Sequence, residues 1–111
     1  MQVKEKKTYT NAASFRMVED IIGCKWSLTV IDLIREGINR PGKMESQVNG
    51  LTTKVLNERL RKLVRYGIAT KKVFPESPPR VEYTLTEFGS MFVEILDSIV
   101  ALDCEFSEIE N

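Results

Sequence analysis

Residues 51–89 constrain this chain more than any other stretch: a basic amphipathic helix leads directly into a hairpin stiffened by prolines. Thr52 is a natural N-cap, because its hydroxyl can accept from a first-turn amide. Gly67 can take the positive φ that ends a helix. Between them the spacing predicts a helix over about 52–66. At 100° per residue, Leu56, Leu60, Leu63 and Val64 gather on one side. Lys54, Glu58, Arg61 and Arg65 gather on the other, with Lys62 at the flank. After Gly67, residues 68–74 alternate and suit a strand. Pro75, Pro78 and Pro79 cannot continue it, since each lacks a backbone donor. Residues 80–85 alternate again, with Val81, Tyr83 and Leu85 on one face, so a hairpin spans about 68–85.

The preceding segment supplies smaller helices. From Ser14, a candidate N-cap, Phe15, Val18, Ile21 and Ile22 recur at helical spacing, and Gly23 breaks the run. Trp26, Val30, Leu33 and Ile34 mark a second helix that stops near Gly37. Asn39-Arg40-Pro41-Gly42 is a turn. A short third helix over 43–48 then buries Met44 and Val48, and Asn49-Gly50 turns the chain again. Short helix, turn, longer helix is helix-turn-helix spacing. With the hairpin behind it, the expected fold is α+β but mostly helical, a winged helix-turn-helix. One domain covers 14–106, with a flexible arm at 1–13 and a tail at 107–111.

Thr86 caps a last helix over about 87–106, roughly 30 Å long at 1.5 Å per residue. A small core cannot cover its whole apolar stripe, and a stripe left bare favours association. The expected remedy is a homodimer formed by the first and last helices. Its contacts would be Phe15, Val18, Ile22, Met91, Phe92, Ile95, Ile99, Leu102 and Phe106.

Formal net charge is zero, but charge is polarised along the chain. Residues 1–34 carry +1, residues 35–80 carry +7 and residues 81–111 carry −8. A basic middle suits phosphate, and an acidic end points away from it. Histidine is absent, which excludes histidine acid–base catalysis and histidine-ligated metal. No phosphate-binding glycine loop or nucleophile–base pair occurs, so neither an enzyme nor a cofactor is expected. No run approaches a membrane span, and the reading is cytoplasmic.

These residues resemble the HxlR family of prokaryotic transcriptional regulators. Ile22-Gly23-Cys24-Lys25-Trp26 is similar to the family's I-G-G-K-W segment. Gly50 to Leu56 with Arg59, Leu60 and Leu63 resembles its recognition helix. Pro75 to Thr86 with Gly89 resembles its wing. The resemblance covers about residues 14–106 and implies a dimeric repressor or activator on double-stranded DNA. Many members carry a redox-sensing Cys-Pro pair at the start of the first helix. This chain has Asn11-Ala12-Ala13 there, so thiol sensing at that place is absent.

Candidate sites follow. On the recognition helix, Thr53, Lys54, Asn57, Glu58 and Arg61 would face a major groove, and Thr52 would set first-turn amides against a phosphate. The alternative is a solvated face with ion pairs such as Glu58–Lys62. Arg59 sits at the edge of the apolar stripe and is expected to brace the fold. In the wing, Lys71, Lys72 and Arg80 flank the stiff tip, Arg80 foremost. Before the recognition helix, Lys43, Ser46 and Gln47 would touch phosphate, as would Arg40. Cys24, next to Lys25 and just before a helix start at Trp26, has surroundings that favour thiolate and is a candidate redox site. Its plainer reading is a small residue in a tight turn. Cys104 reads as a buried residue of the dimer helix. A cavity between the first and last helices would suit a small-molecule effector. The rival to DNA binding is a winged helix turned to protein docking.

Overall fold

The long basic segment folds as α4, Thr53–Arg65, because three leucines at helical spacing find a core. Leu56, Leu60 and Leu63 are each 0% exposed. Burying a leucine fully is worth roughly 1.5–3 kcal/mol, so this face anchors the domain. Thr52 caps it as expected, its Oγ1 accepting from the Val55 amide at 3.2 Å. Gly67, at φ 76°, ends it. Val64 differs from expectation: it lies at the rim of the stripe and stays exposed. The structure, a computed structural model, describes residues 6–110, with side chains through Phe106.

Ahead of α4 come α1 (Ala13–Gly23), α2 (Ser27–Arg35) and α3 (Pro41–Gln47). α1 starts earlier than expected: Ala12 is its N-cap, without a side-chain bond, so Ser14 does not cap it. Residues 8–12 are not a loose arm. Ala12 N–H donates to Thr8 O at 3.0 Å, and Tyr9 meets Phe15 edge to face at 5.0 Å. Residues 1–5 of the expected arm lie outside the described residues. Pro41 opens α3, where its missing N–H is no loss. The turn to α4 runs over 48–52, with Gly50 at φ 91°.

Gly23 is not the break between α1 and α2. It is helical, and Cys24 after it is extended at φ −103°. The left-handed residue is Trp26, at φ 79°. That conformation costs a non-glycine residue about 1–2 kcal/mol. Trp26 packs against the core, its indole beside Gly50, which offsets the strain. Arg59 braces this corner, donating from Nε to Lys25 O at 2.7 Å.

The hairpin pairs β1 (Ala69–Phe74) with β2 (Arg80–Leu85), antiparallel, Lys72 opposite Glu82 and Phe74 opposite Arg80. Tyr83 turns its ring into the core, and its N–H donates to Asn39 O at 2.9 Å. The wing is thereby tied to the segment that leads into α3.

Thr86 then caps α5, Glu87–Glu110, accepting from Gly89 N–H at 2.9 Å. The helix continues through most of the expected tail and would be about 36 Å long. Phe92 and Val93 enter the core, 3% and 7% exposed. Phe92 is therefore corrected from the expected dimer contacts: it faces inward because α5 crosses the sheet at its first turns. Beyond Leu96 the helix leaves the core. The radius of gyration is 16.8 Å, against about 13 Å for a compact chain of this length.

Candidate nucleic-acid interface

α3 and α4 form the helix-turn-helix, and their outer surface carries the expected groove-facing residues. Lys54, Asn57, Glu58 and Arg61 are exposed along one side of α4. Lys43, Ser46 and Gln47 are exposed on α3. Ser46 Oγ donates to Lys43 O at 2.8 Å, a bond within its own helix. Thr53 is exposed, but its hydroxyl is engaged. Its hydroxyl donates to the Glu45 carboxylate and so joins α3 to α4. Thr52 Oγ1 is the cap acceptor, and its position at the helix start keeps the first-turn amides outward.

The basic segment divides into two groups. Lys43, Lys54, Arg61, Arg65, Lys71 and Lys72 are exposed and form no ion pair among the described residues. The other five cations of the segment are engaged within the molecule. Arg35 meets Asp32 and Asp97, each at 2.6 Å, on the side of α5. Arg59 holds Lys25 O, with Glu58 3.9 Å away. Lys62 turns towards α1 and meets Asp20, at 2.8 Å. The Glu58–Lys62 pair of the alternative reading does not form; the half-buried ammonium goes to Asp20 of α1 instead.

Arg40 and Arg80 share an acceptor. Glu82 Oε2 lies 3.7 Å from Arg40 Nε and 3.4 Å from Arg80 Nε. Arg80 also reaches Glu76 at 3.3 Å, and its guanidinium lies 3.9 Å from the centre of the Phe74 ring. Lys72 covers the same ring at 5.0 Å. Arg80 is thus a packed residue at the base of the wing tip. The start of α3 and the tip enclose a cleft of about 620 Å³, lined by Arg40, Pro41, Lys43, Glu76, Pro79 and Arg80.

Helix-turn-helix, two-stranded wing and basic outer face together define a winged-helix scaffold, and comparison with known proteins decides which one. The profile of HxlR-like helix-turn-helix proteins matches residues 21–110. The chain belongs to the HxlR family. A helix-turn-helix transcriptional regulator of Synechocystis sp., itself uncharacterised, is 37% identical over 94 residues, covering 85% of this chain and 70% of that one. A crystal structure described as a MarR-family regulator from Enterococcus faecalis V583 superposes with a TM-score of 0.80 at 30% identity, over 95% of this chain and 97% of that one. The regulator YodB from B. subtilis is similar in two forms, each 26% identical. Its reduced form has a TM-score of 0.71 over 81% of this chain and 88% of its own. Its diamide-treated form has 0.72, over 86% and 94%. HxlR proteins are transcriptional regulators and not enzymes, and this chain is one of them.

The same structure contains a cluster that spacing could not announce. Asp20 on α1 accepts from Lys62 Nζ of α4 and, at 2.5 Å, from the hydroxyl of Tyr66, the residue that ends α4. These bonds, Lys62 first, hold its carboxyl down at about 2. The carboxylate in turn raises the Lys62 ammonium and the Tyr66 phenol. Cys24 joins the group: Lys62 Nζ is 2.8 Å from its Sγ, and the thiol donates weakly to Asp20 at 3.7 Å. Lys25 is not the neighbouring cation, for its ammonium lies over the Trp26 ring at 5.0 Å. Asp20 is 42 residues from Lys62, and no local pattern in the sequence links them.

On the opposite side, α5 and α1 present Phe15, Ile22, Met91, Ile95, Ile99, Leu102 and Phe106, each at least 38% exposed. Val18 is only half-exposed and packs on the core. Cys104 is exposed on the same helix. Between α2 and α5 runs a trough of about 580 Å³, floored by Ile31, Val93 and Leu96 and rimmed by Asp32, Arg35 and Asp97. Among the described residues no helix is long and apolar enough to cross a membrane.

Proposed function

We propose that the chain is a cytoplasmic, sequence-specific regulator that binds double-stranded DNA as a homodimer. The observation that carries this is the row of unpaired cations on α3, α4 and β1, set around one convex helix. A major groove about 12 Å wide admits such a helix. Lys54, Asn57, Glu58 and Arg61 reach base edges and phosphates from α4, with Thr52 and Thr53 at its start. Lys43, Ser46 and Gln47 meet the backbone from α3, and Lys72 meets it from the wing, beside Arg80 at the base of the tip. The bare stripe on α5, with Phe15 and Ile22 beside it, joins two copies. Two recognition helices then address successive major grooves about 34 Å apart, and the operator is an inverted repeat. Occupancy blocks or recruits polymerase. A small-molecule effector, where one acts, enters the trough between α2 and α5 and shifts the spacing of the two heads.

Fluorescence anisotropy with a genomic duplex pool tests the DNA-facing assignment. Lys54→Ala and Arg61→Ala should each weaken binding about tenfold, within the usual 1–3 kcal/mol of a good base contact. Equal affinity of both variants and the wild type would move the interface elsewhere and favour protein docking.

A second reading is favoured by one contact, the Lys62 ammonium on Cys24 Sγ. In this reading oxidation or alkylation of Cys24 breaks the α1–α4 link and changes DNA affinity. Diamide treatment should then alter binding by the wild type and leave Cys24→Ser unchanged. Equal response of both proteins would dismiss it.

A further inference from the structure

Glu82 faces the wrong way for an acidic residue on a DNA-binding wing. It is 22% exposed at its side chain and lies between two arginines, Arg40 just ahead of α3 and Arg80 at the base of the wing tip. Its carboxylate is the nearest anion to Arg40 and one of two beside Arg80. Nothing about the hairpin's shape requires this. The strand register and the Tyr83 amide bond to Asn39 O hold β2 in place independently. Arg80 Nε is buried and makes no aligned hydrogen bond, so its pairing with Glu82 is one of charge rather than of fitted geometry.

We infer that Glu82 limits affinity for DNA of any sequence, by competing with backbone phosphates for Arg40 and Arg80. The inference rests on the DNA-binding reading above. Phosphate and carboxylate are acceptors of the same kind for a guanidinium. While Glu82 holds both arginines, the cleft contributes little to the sequence-independent attraction that dominates non-specific binding. The exposed Lys43, Lys54 and Arg61 still meet phosphates and bases. The result is a face whose affinity depends more on what α4 reads and less on phosphate alone. Glu76, 52% exposed at its side chain and 3.3 Å from Arg80, plays the same part more weakly at the tip.

The test compares wild type and Glu82→Gln on a random-sequence duplex by anisotropy across a salt series. Each phosphate newly contacted steepens the slope of log K against log salt by about 0.9, which is about eightfold in affinity at 0.1 M salt. Glu82→Gln should therefore bind about eightfold tighter or more. Adding Arg40→Gln and Arg80→Gln to it should remove that gain. Glu76→Gln, at an exposed site that cannot compromise folding, should show a smaller gain in the same direction. An affinity within twofold of wild type or weaker, or a gain that survives loss of both arginines, would overturn the inference. A wild type that binds with a clear salt slope beside an unresponsive Glu82→Gln removes this inference alone. A wild type that binds no duplex removes the DNA-binding reading and the inference with it.

Discussion

Gly89→Ala should destabilise the protein although it places a better helix former inside a helix. Gly89 is the third residue of α5, and alanine there gains about 1 kcal/mol from propensity alone. A Cβ at this position would lie 2.0 Å from Ile68 O and 2.9 Å from Ile68 C. The obstacle is backbone, so no rotamer change relieves it. α5 would have to retreat by more than an ångström from the 67–68 segment. That movement also loosens the Thr86 amide bond to Ile68 O, at 3.0 Å, and the capping hydroxyl. Overpacking against an unyielding neighbour costs about 1–3 kcal/mol, and the lost bonds add about 1 kcal/mol. The net expectation is about 2 kcal/mol of destabilisation. Unfolding entropy near 2.1 cal/mol/K per residue converts this to a fall in Tm of about 9 °C. Circular dichroism melts measure it, run at one fixed protein concentration so that any association contributes equally to both proteins. An unchanged or raised Tm would refute the reasoning and show that α5 does not cross Ile68 this closely.

Other consequences concern the α1–α4 cluster and the apolar stripe. Asp20 is held down from 3.8 to about 2 by Lys62 and Tyr66. A depressed carboxyl stabilises the fold above its ordinary value, and that contribution is lost as pH falls through the folded value. Asp20→Asn should thus be less stable than wild type at pH 7, with the gap closing between about pH 4 and 2. Urea melts across that range check it, and a gap independent of pH would contradict the pairing. Ile95 is 58% exposed at the middle of the α5 stripe. Ile95→Glu should halve the sedimenting mass while leaving the helical circular dichroism of the fold intact, and an unchanged mass would place the dimer contact elsewhere.

Local rules made much of this molecule readable. Thr52 and Gly67 bounded α4 because caps act within one turn. Met44, Leu56, Leu60 and Leu63 announced the core by helical spacing, and alternation located both strands. The misreadings came from contacts distant in sequence. Gly23 looked like a helix stop, yet Trp26 takes the left-handed conformation because the core and Gly50 receive its indole. Phe92 belonged to an apolar stripe wide enough to serve two surfaces, and only the crossing of α5 over the sheet assigns it inward. Within the candidate interface, charge counting gave a basic segment, but not which cations remain open to a ligand. Lys62 goes to Asp20, Arg59 to Lys25 O and Arg40 to Glu82, each across many residues, and Arg80 shares that last carboxylate from the same strand. Thr53 pairs with Glu45 for the same reason. Side-chain partners over such separations depend on helix crossing angles, which composition and periodicity do not encode.

Selection of bound fragments from a random duplex pool tests the central claim most directly. A dimer with one recognition helix per subunit predicts enrichment of an inverted repeat whose half-site centres lie about 10–10.5 base pairs, or a multiple of that, apart. A single unrepeated motif, or no enrichment from a pool that the protein nevertheless binds, would contradict it.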